Sequence, residues 1–90
     1  MGDTSISDKP QYYYALSRPE VQMAVPVTAR RILDIGCAGG MVGAGLKMRQ
    51  ACSVTGVESV PEVAEQARCR LDFVVCGDIE SPETLGELPR

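Results

Sequence analysis

Ninety residues carrying a net charge of −3, with 23 % charged and 44 % apolar side chains, describe one small globular domain, neither disordered nor collagen-like. No apolar run approaches the roughly 20 residues that cross a bilayer, and the nine basic residues are scattered, with Arg30 and Arg31 the only adjacent pair, so a membrane span and direct nucleic-acid binding are both excluded. The four cysteines, Cys37, Cys52, Cys69 and Cys76, show no C-x-x-C spacing and the chain has no histidine, which excludes a zinc site and leaves no metal expected.

Residues 1 to 10 are polar, contain Pro10 and show no period, as expected of a flexible lead-in. They also lack the charged and apolar regions of a signal peptide, so a cytoplasmic location is expected. Residues 11 to 90 are taken as the folded unit. Ser17, Pro19 and Glu20 fit a helix start, with Ser17 capping and Glu20 as its capping-box partner; Pro26 ends that helix. Residues 31 to 35 (RILDI) read as a buried strand of a parallel sheet. Residues 40 to 50 have the length for a helix, although Gly43 and Gly45 each cost it about 1 kcal/mol relative to alanine.

Residues 52 to 57 (CSVTGV) read as a second strand ending at Glu58. A further capping signal at Ser59 opens a helix over 60 to 70, with Val60, Val63, Ala64 and Ala67 forming a core-facing stripe. Residues 71 to 76 (LDFVVC) are the third strand. Ser81, Pro82 and Glu83 fit the start of one more helix. Cys37, Cys52 and Cys76 fall in or beside apolar runs and are expected as reduced core residues.

Alternation of strand and helix with short connections specifies an α/β fold: a three-stranded parallel Rossmann-like sheet, order 3-2-1, with flanking helices and right-handed crossovers. In such sheets ligands bind at the carboxyl ends of the strands, where Gly36, Glu58 and Asp78 all fall. Gly36, Gly39 and Gly40 allow a sharp turn and a close backbone approach by a ligand; a tight strand-to-helix turn also needs a glycine or two by itself. Glu58 lies 22 residues beyond Gly36, close to the roughly 20 at which an acid ending the second strand meets both hydroxyls of a ribose. A carboxylate suits that role because it accepts from two neighbouring hydroxyls at once.

With these residues in place the sequence resembles the class I S-adenosylmethionine-dependent methyltransferases. Their first motif, an apolar-apolar-acidic-apolar strand followed by G-x-G-x-G, matches residues 32 to 40 (ILDIGCAGG). The similarity continues through Val57 and Glu58 and through Cys76, Gly77, Asp78 and Ile79, and motif-level likeness is confined to residues 32 to 80. The resemblance implies S-adenosylmethionine as cofactor. It places Asp34, Gly36, Cys37, Ala38, Gly39 and Gly40 at the methionine end, with Asp34 near the ammonium group. It gives Glu58, with Ser59 beside it, to the ribose, the Asp78 side chain to the adenine amino group and the Ile79 N–H to the ring. An acid buried in a strand is costly unless paired, and a cationic ligand pairs it. The middle glycine is Ala38 here, which adds a methyl where the cofactor passes and lowers the expected affinity. Residues 12 to 20 also look like the lead-in of bacterial methyltransferases associated with glycosyltransferases.

Full family members run to about 200 residues, and Arg90 precedes any fourth strand, so the expected unit is the cofactor-binding half of a truncated methyltransferase fold. Its acceptor and catalytic base are unidentified, weak or no turnover is expected, and the exposed edge of strand 1 is expected to give self-association or marginal stability. Two alternatives stand beside it. One is a non-catalytic, degenerate methyltransferase-like module. The other is a fragment of an NAD-binding Rossmann oxidoreductase, whose G-x-G-x-x-G pattern fits poorly because Ala38 and Met41 occupy its later glycine positions, and whose pyrophosphate Asp34 would repel. Three residue groups keep two readings each: Tyr12, Tyr13 and Tyr14 as a lid or as packing, Arg18 as a carboxylate clamp or an exposed cation, and Asp78 as a ligand contact or a turn former.

Overall fold

The computed structural model of the chain describes residues 18 to 89. The expected lead-in, the tyrosines at 12 to 14 and the Ser17 cap lie outside the described residues. Seven elements follow in order: α1 (Pro19–Ala24), β1 (Arg31–Ile35), α2 (Met41–Arg49), β2 (Ser53–Glu58), α3 (Pro61–Arg68), β3 (Phe73–Cys76) and α4 (Pro82–Glu87). The three strands form one parallel sheet in the order β1-β2-β3, with β2 in the middle.

Element starts follow proline more than side-chain caps. α1, α3 and α4 each carry proline in their first turn and none receives a side-chain cap, since a proline ring already fixes a helical φ and has no N–H to satisfy. Glu20, expected as the capping-box partner of Ser17, has its described contact elsewhere. It pairs instead with the Arg18 guanidinium at 2.8 Å, an exposed contact that holds its carboxyl below the usual value. The third helix is shorter than residues 60 to 70, because Val60 is extended at its N-cap and Cys69 closes it.

The strand pattern is visible in the register. Leu33, Thr55 and Phe73 pair across the sheet in one row, and Ile35, Val57 and Val75 in another; these side chains share one face. On the opposite face Val54 and Val74 are buried with Cys37, Ala64, Ala67 and Leu71, beneath α2 and α3. α4 packs on β3. Close approach of α2 to the sheet explains a glycine that the helix would otherwise avoid: a Cβ at Gly43 would collide with Leu71 and stand 2.9 Å from Val54 Cγ1.

The third strand starts two residues later than the apolar run suggests, because Leu71 and Asp72 are engaged elsewhere. Leu71 turns into the core. The Asp72 carboxylate accepts from Val54 N at 2.7 Å and from Lys47 Nζ at 2.6 Å, which lowers its pKa through those two bonds and ties α2, β2 and the start of β3 together. Two core expectations change. Val60 is exposed as an N-cap residue outside the helical stripe, and Cys76, last in β3, is exposed, while Cys37 is buried and Cys52 packs at the edge of the core. All four cysteines are free thiols.

Candidate functional site

At the carboxyl ends of the strands the chain makes three bends, and they meet. After β1, the amides of Gly36 and Cys37 both donate to the Val57 carbonyl, at 2.7 and 3.0 Å, so the chain folds over the end of β2. Gly40 N then closes a turn onto the Cys37 carbonyl at 2.9 Å. This path places three residues of five in the left-handed region: Gly36 at φ 71°, Ala38 at φ 50° and Gly40 at φ 87°. Gly40 is the N-cap of α2. For Ala38 the conformation costs about 1 kcal/mol, so the departure from a glycine motif shows itself in backbone shape as well as in room.

Glu58, at the end of β2, reaches back across this loop. Its Oε1 accepts from Ala38 N at 2.8 Å and its Oε2 from Val60 N at 3.1 Å. A carboxylate offers about four acceptor positions, so two bonds leave the outer lone pairs of both oxygens available. After β3, Gly77 N donates to the Glu58 carbonyl at 3.0 Å, bringing the third bend beside the second. Asp78 there accepts from Glu80 N through Oδ1 at 2.9 Å, and Ser81 N donates to its carbonyl at 2.8 Å. Asp78 thus forms a turn, and its second carboxylate oxygen makes no hydrogen bond within the described residues.

The three bends enclose an open groove of about 280 Å³, lined by Ile35 and Gly36, by Val57, Glu58 and Ser59, and by Gly77, Asp78 and Ile79. Of the residues singled out in the sequence, Gly36, Glu58, Ser59, Asp78 and Ile79 share its wall. Asp34, Cys37, Ala38, Gly39 and Gly40 do not line it: Ala38 forms the lip through its bond to Glu58, Gly39 is held by Arg70 beside Gln66, and Gly40 is buried against Ala67 and Leu71. Ile35, Val57 and Gly77 lie within the matched motifs but carry no expected role in binding; each adjoins a residue that does. A second cavity, of about 220 Å³, lies along the first halves of β1 and β2 with Leu88 and Pro89; it contains no acid and stands away from the carboxyl ends.

The groove's charged side chains are carboxylates, and no lysine or arginine lines it. Asp34 is half-buried and makes no hydrogen bond or ion pair within the described residues; burial raises its pKa. The Cys37 thiol is pushed up to about 11, first by burial and then by the charges of Asp34 and Glu58. It points inward over Gly56, where a Cβ would stand 2.5 Å from its sulfur, so Cys37 contributes packing and no nucleophile. Among the described residues no cluster of acids and cysteines could hold a metal, and no helix is long and apolar enough to cross a membrane.

A parallel sheet with helices on its faces and a ligand-sized groove at its carboxyl ends is a Rossmann-like α/β arrangement. No family model matches the chain. Over 48 residues it is 38 % identical to the ubiquinone biosynthesis O-methyltransferase of Xylella fastidiosa strain 9a5c and, to the same degree, to that of strain M23; the match covers 53 % of this chain and 19 % of each relative. In structure it is similar to a candidate S-adenosyl-L-methionine-dependent methyltransferase of Methanococcus maripaludis, with a TM-score of 0.61 and 17 % identity, over 87 % of this chain and 41 % of that one. The resemblance to part of a class I S-adenosylmethionine-dependent methyltransferase is thus present in sequence and in fold.

Proposed function

We propose that residues 11 to 90 form the S-adenosylmethionine-binding part of a methyltransferase domain. The observation that supports this reading best is the meeting of Gly36, Glu58 and Asp78 in one groove whose charged groups are all acidic. In this assignment the free lone pairs of Glu58 take the two ribose hydroxyls. The free oxygen of Asp78 takes the adenine amino group, the Ile79 N–H meets the ring, and Ser59 closes the wall beside the ribose. Asp34 faces the ammonium end, and residues 36 to 40 give that end a backbone surface. A bound cofactor would supply a methyl group on a positively charged sulfur. What these residues contribute is fixed orientation, which is most of the catalysis in an in-line displacement. They do not build the acceptor's side, so the ninety-residue chain is expected to bind without turnover.

The test is an amide-shift titration with S-adenosylhomocysteine. Joint movement of Gly36 to Gly40, Glu58 and Asp78 to Ile79 supports the assignment, and movement at one bend alone defeats it. The left-handed Ala38 favours a competing reading, a methyltransferase-like module that no longer binds cofactor; a calorimetric titration without heat would select it. An oxidoreductase fragment is disfavoured by the same acidic rim, which repels a pyrophosphate.

Asp34 gives a signed pH prediction. Its folded pKa lies above the unfolded value of about 3.9, because burial disfavours the charge. Asp34's own contribution to stability is therefore fully present below that unfolded value and is lost as pH rises through the folded one. Asp34→Asn is expected to flatten this fall and to leave the ligand-free protein at least as stable at pH 7, while weakening S-adenosylhomocysteine. Melting curves from pH 3 to 8 check the first half, and calorimetry the second.

Ala38→Gly is expected to shift stability by less than about 1 kcal/mol, since relief of the left-handed strain offsets the added chain entropy. It should tighten ligand binding by removing a methyl from the lip. A weaker complex would show that the methyl makes a contact of its own.

The same proposal includes self-association. Among the described residues β1 pairs only with β2, and Leu33, Ile35 and Phe73 are exposed on one face. An unpaired edge beside apolar side chains favours strand addition. Sedimentation should show larger species with rising concentration, and Leu33→Lys should shift them to monomer.

A further inference from the structure

The cofactor loop is seated on α3 as well as held by Glu58. A Cβ built at Gly39 would stand 3.3 Å from Gln66 Oε1, and one at Gly40 would stand 3.2 Å from Leu71 Cγ and 3.3 Å from Ala67 Cα. Gln66 and Ala67 lie in the last turn of α3, and Arg70 and Leu71 in the turn that follows it, where the amides of both donate to the Ala67 carbonyl at 2.9 Å. Arg70 completes the seat: its guanidinium donates to the Gly39 carbonyl at 2.8 Å, across 31 residues of sequence. The Gly40 N–H of that same peptide unit donates to the Cys37 carbonyl at 2.9 Å. Both polar ends of the 39–40 peptide are therefore fixed. One residue earlier, Ala38 N is fixed by Glu58.

The two-residue crest of the loop is thus fastened on the ligand side by a carboxylate and on the far side by a guanidinium. Ala38, at φ 50°, has lower-energy conformations available as soon as one fastening is released. We infer that Arg70 is a positioning residue for the cofactor loop: it does not touch the groove, and it keeps the lip in its left-handed shape before any ligand arrives. A preformed lip saves the ordering that binding would otherwise require. The clamp stands on the geometry alone; its effect on cofactor affinity rests on the function proposed above.

The experiment uses the full chain as wild type, Arg70→Ala, Arg70→Lys and, as a control on the same helix away from the loop, the exposed first-turn variant Glu62→Ala, which should change neither quantity. Two quantities are read: amide hydrogen exchange at Ala38 and Gly40 without ligand, and the Kd for S-adenosylhomocysteine. Arg70→Ala is expected to speed exchange at Ala38 and Gly40 about tenfold and to weaken binding about five- to tenfold, the scale of one charge-assisted hydrogen bond partly screened by solvent. Exchange at Val57 should be unchanged. Arg70→Lys, which keeps a donor, should recover part of both effects, and it carries the test should Arg70→Ala fail to fold. Unchanged exchange at the lip overturns the clamp, as does a uniform rise across the whole sheet. A wild type that exchanges slowly at the lip but binds no S-adenosylhomocysteine overturns the functional reading and leaves the clamp supported.

Discussion

Glu58→Ala is expected to remove measurable S-adenosylhomocysteine binding, a loss of at least about a hundredfold. Hydrogen bonds to a charged acceptor contribute about 1.5 to 3 kcal/mol each, and the assignment gives Glu58 two of them to ribose. The carboxylate also anchors Ala38 N and Val60 N, so the alanine variant frees the lip and the bend after β2 together. Glu58→Gln separates these roles. It keeps one carbonyl acceptor and adds an N–H, so it should retain one anchor while losing the paired acceptance that two neighbouring hydroxyls require. An intermediate loss of about ten- to thirtyfold is expected for it. Calorimetry on both variants, with melting curves to establish folding, checks this. Wild-type affinity in folded Glu58→Ala would remove the ribose assignment.

Leu46→Ala is expected to unfold a large fraction of the molecules at 37 °C. Leu46 is 1 % exposed and is among the largest fully buried side chains. Truncating such a leucine costs about 2 to 5 kcal/mol, through lost burial and the cavity left behind. Small domains rarely have more than a few kcal/mol in reserve. A urea titration should show the midpoint displaced far toward zero with an unchanged slope. A shift smaller than about 1 kcal/mol would mean that α2 repacks onto the sheet.

The parts of this fold that sequence exposes are those set by neighbours along the chain. β1 begins and ends where its RILDI run does. The run reads as a buried strand, but its residues alternate between exposed and half-buried, because among the described residues β1 has a partner strand on one side only. The spacing from Gly36 to Glu58 brings both residues to one groove, since one helix and two short bends fix how far the chain can travel before it returns to the rim. Pairings across long stretches of chain were not legible. Asp72 sits in a run that reads as strand, yet its carboxylate is taken by Lys47 and Val54, and the ladder starts later. Arg70 is one arginine among several until Gly39 is brought beneath it. Cys76 looks like core by its apolar neighbours, yet it closes a strand whose last position faces solvent. Ala38 was read as a question of space, and its left-handed φ adds a question of shape that sequence alone does not raise.

The four thiols differ in a way that is useful at the bench. At pH 7 a group titrating near 11 is ionised in only about one molecule in ten thousand, and Cys37 is also shielded by the sheet. Cys76 is exposed and stands opposite Glu58 in the β2–β3 register. A maleimide dye would leave Cys37 untouched, and in a Cys69→Ser, Cys52→Ala background it would attach at Cys76, one strand away from the acid at the heart of the rim. Such a conjugate would report occupancy of the groove by fluorescence without any turnover to follow.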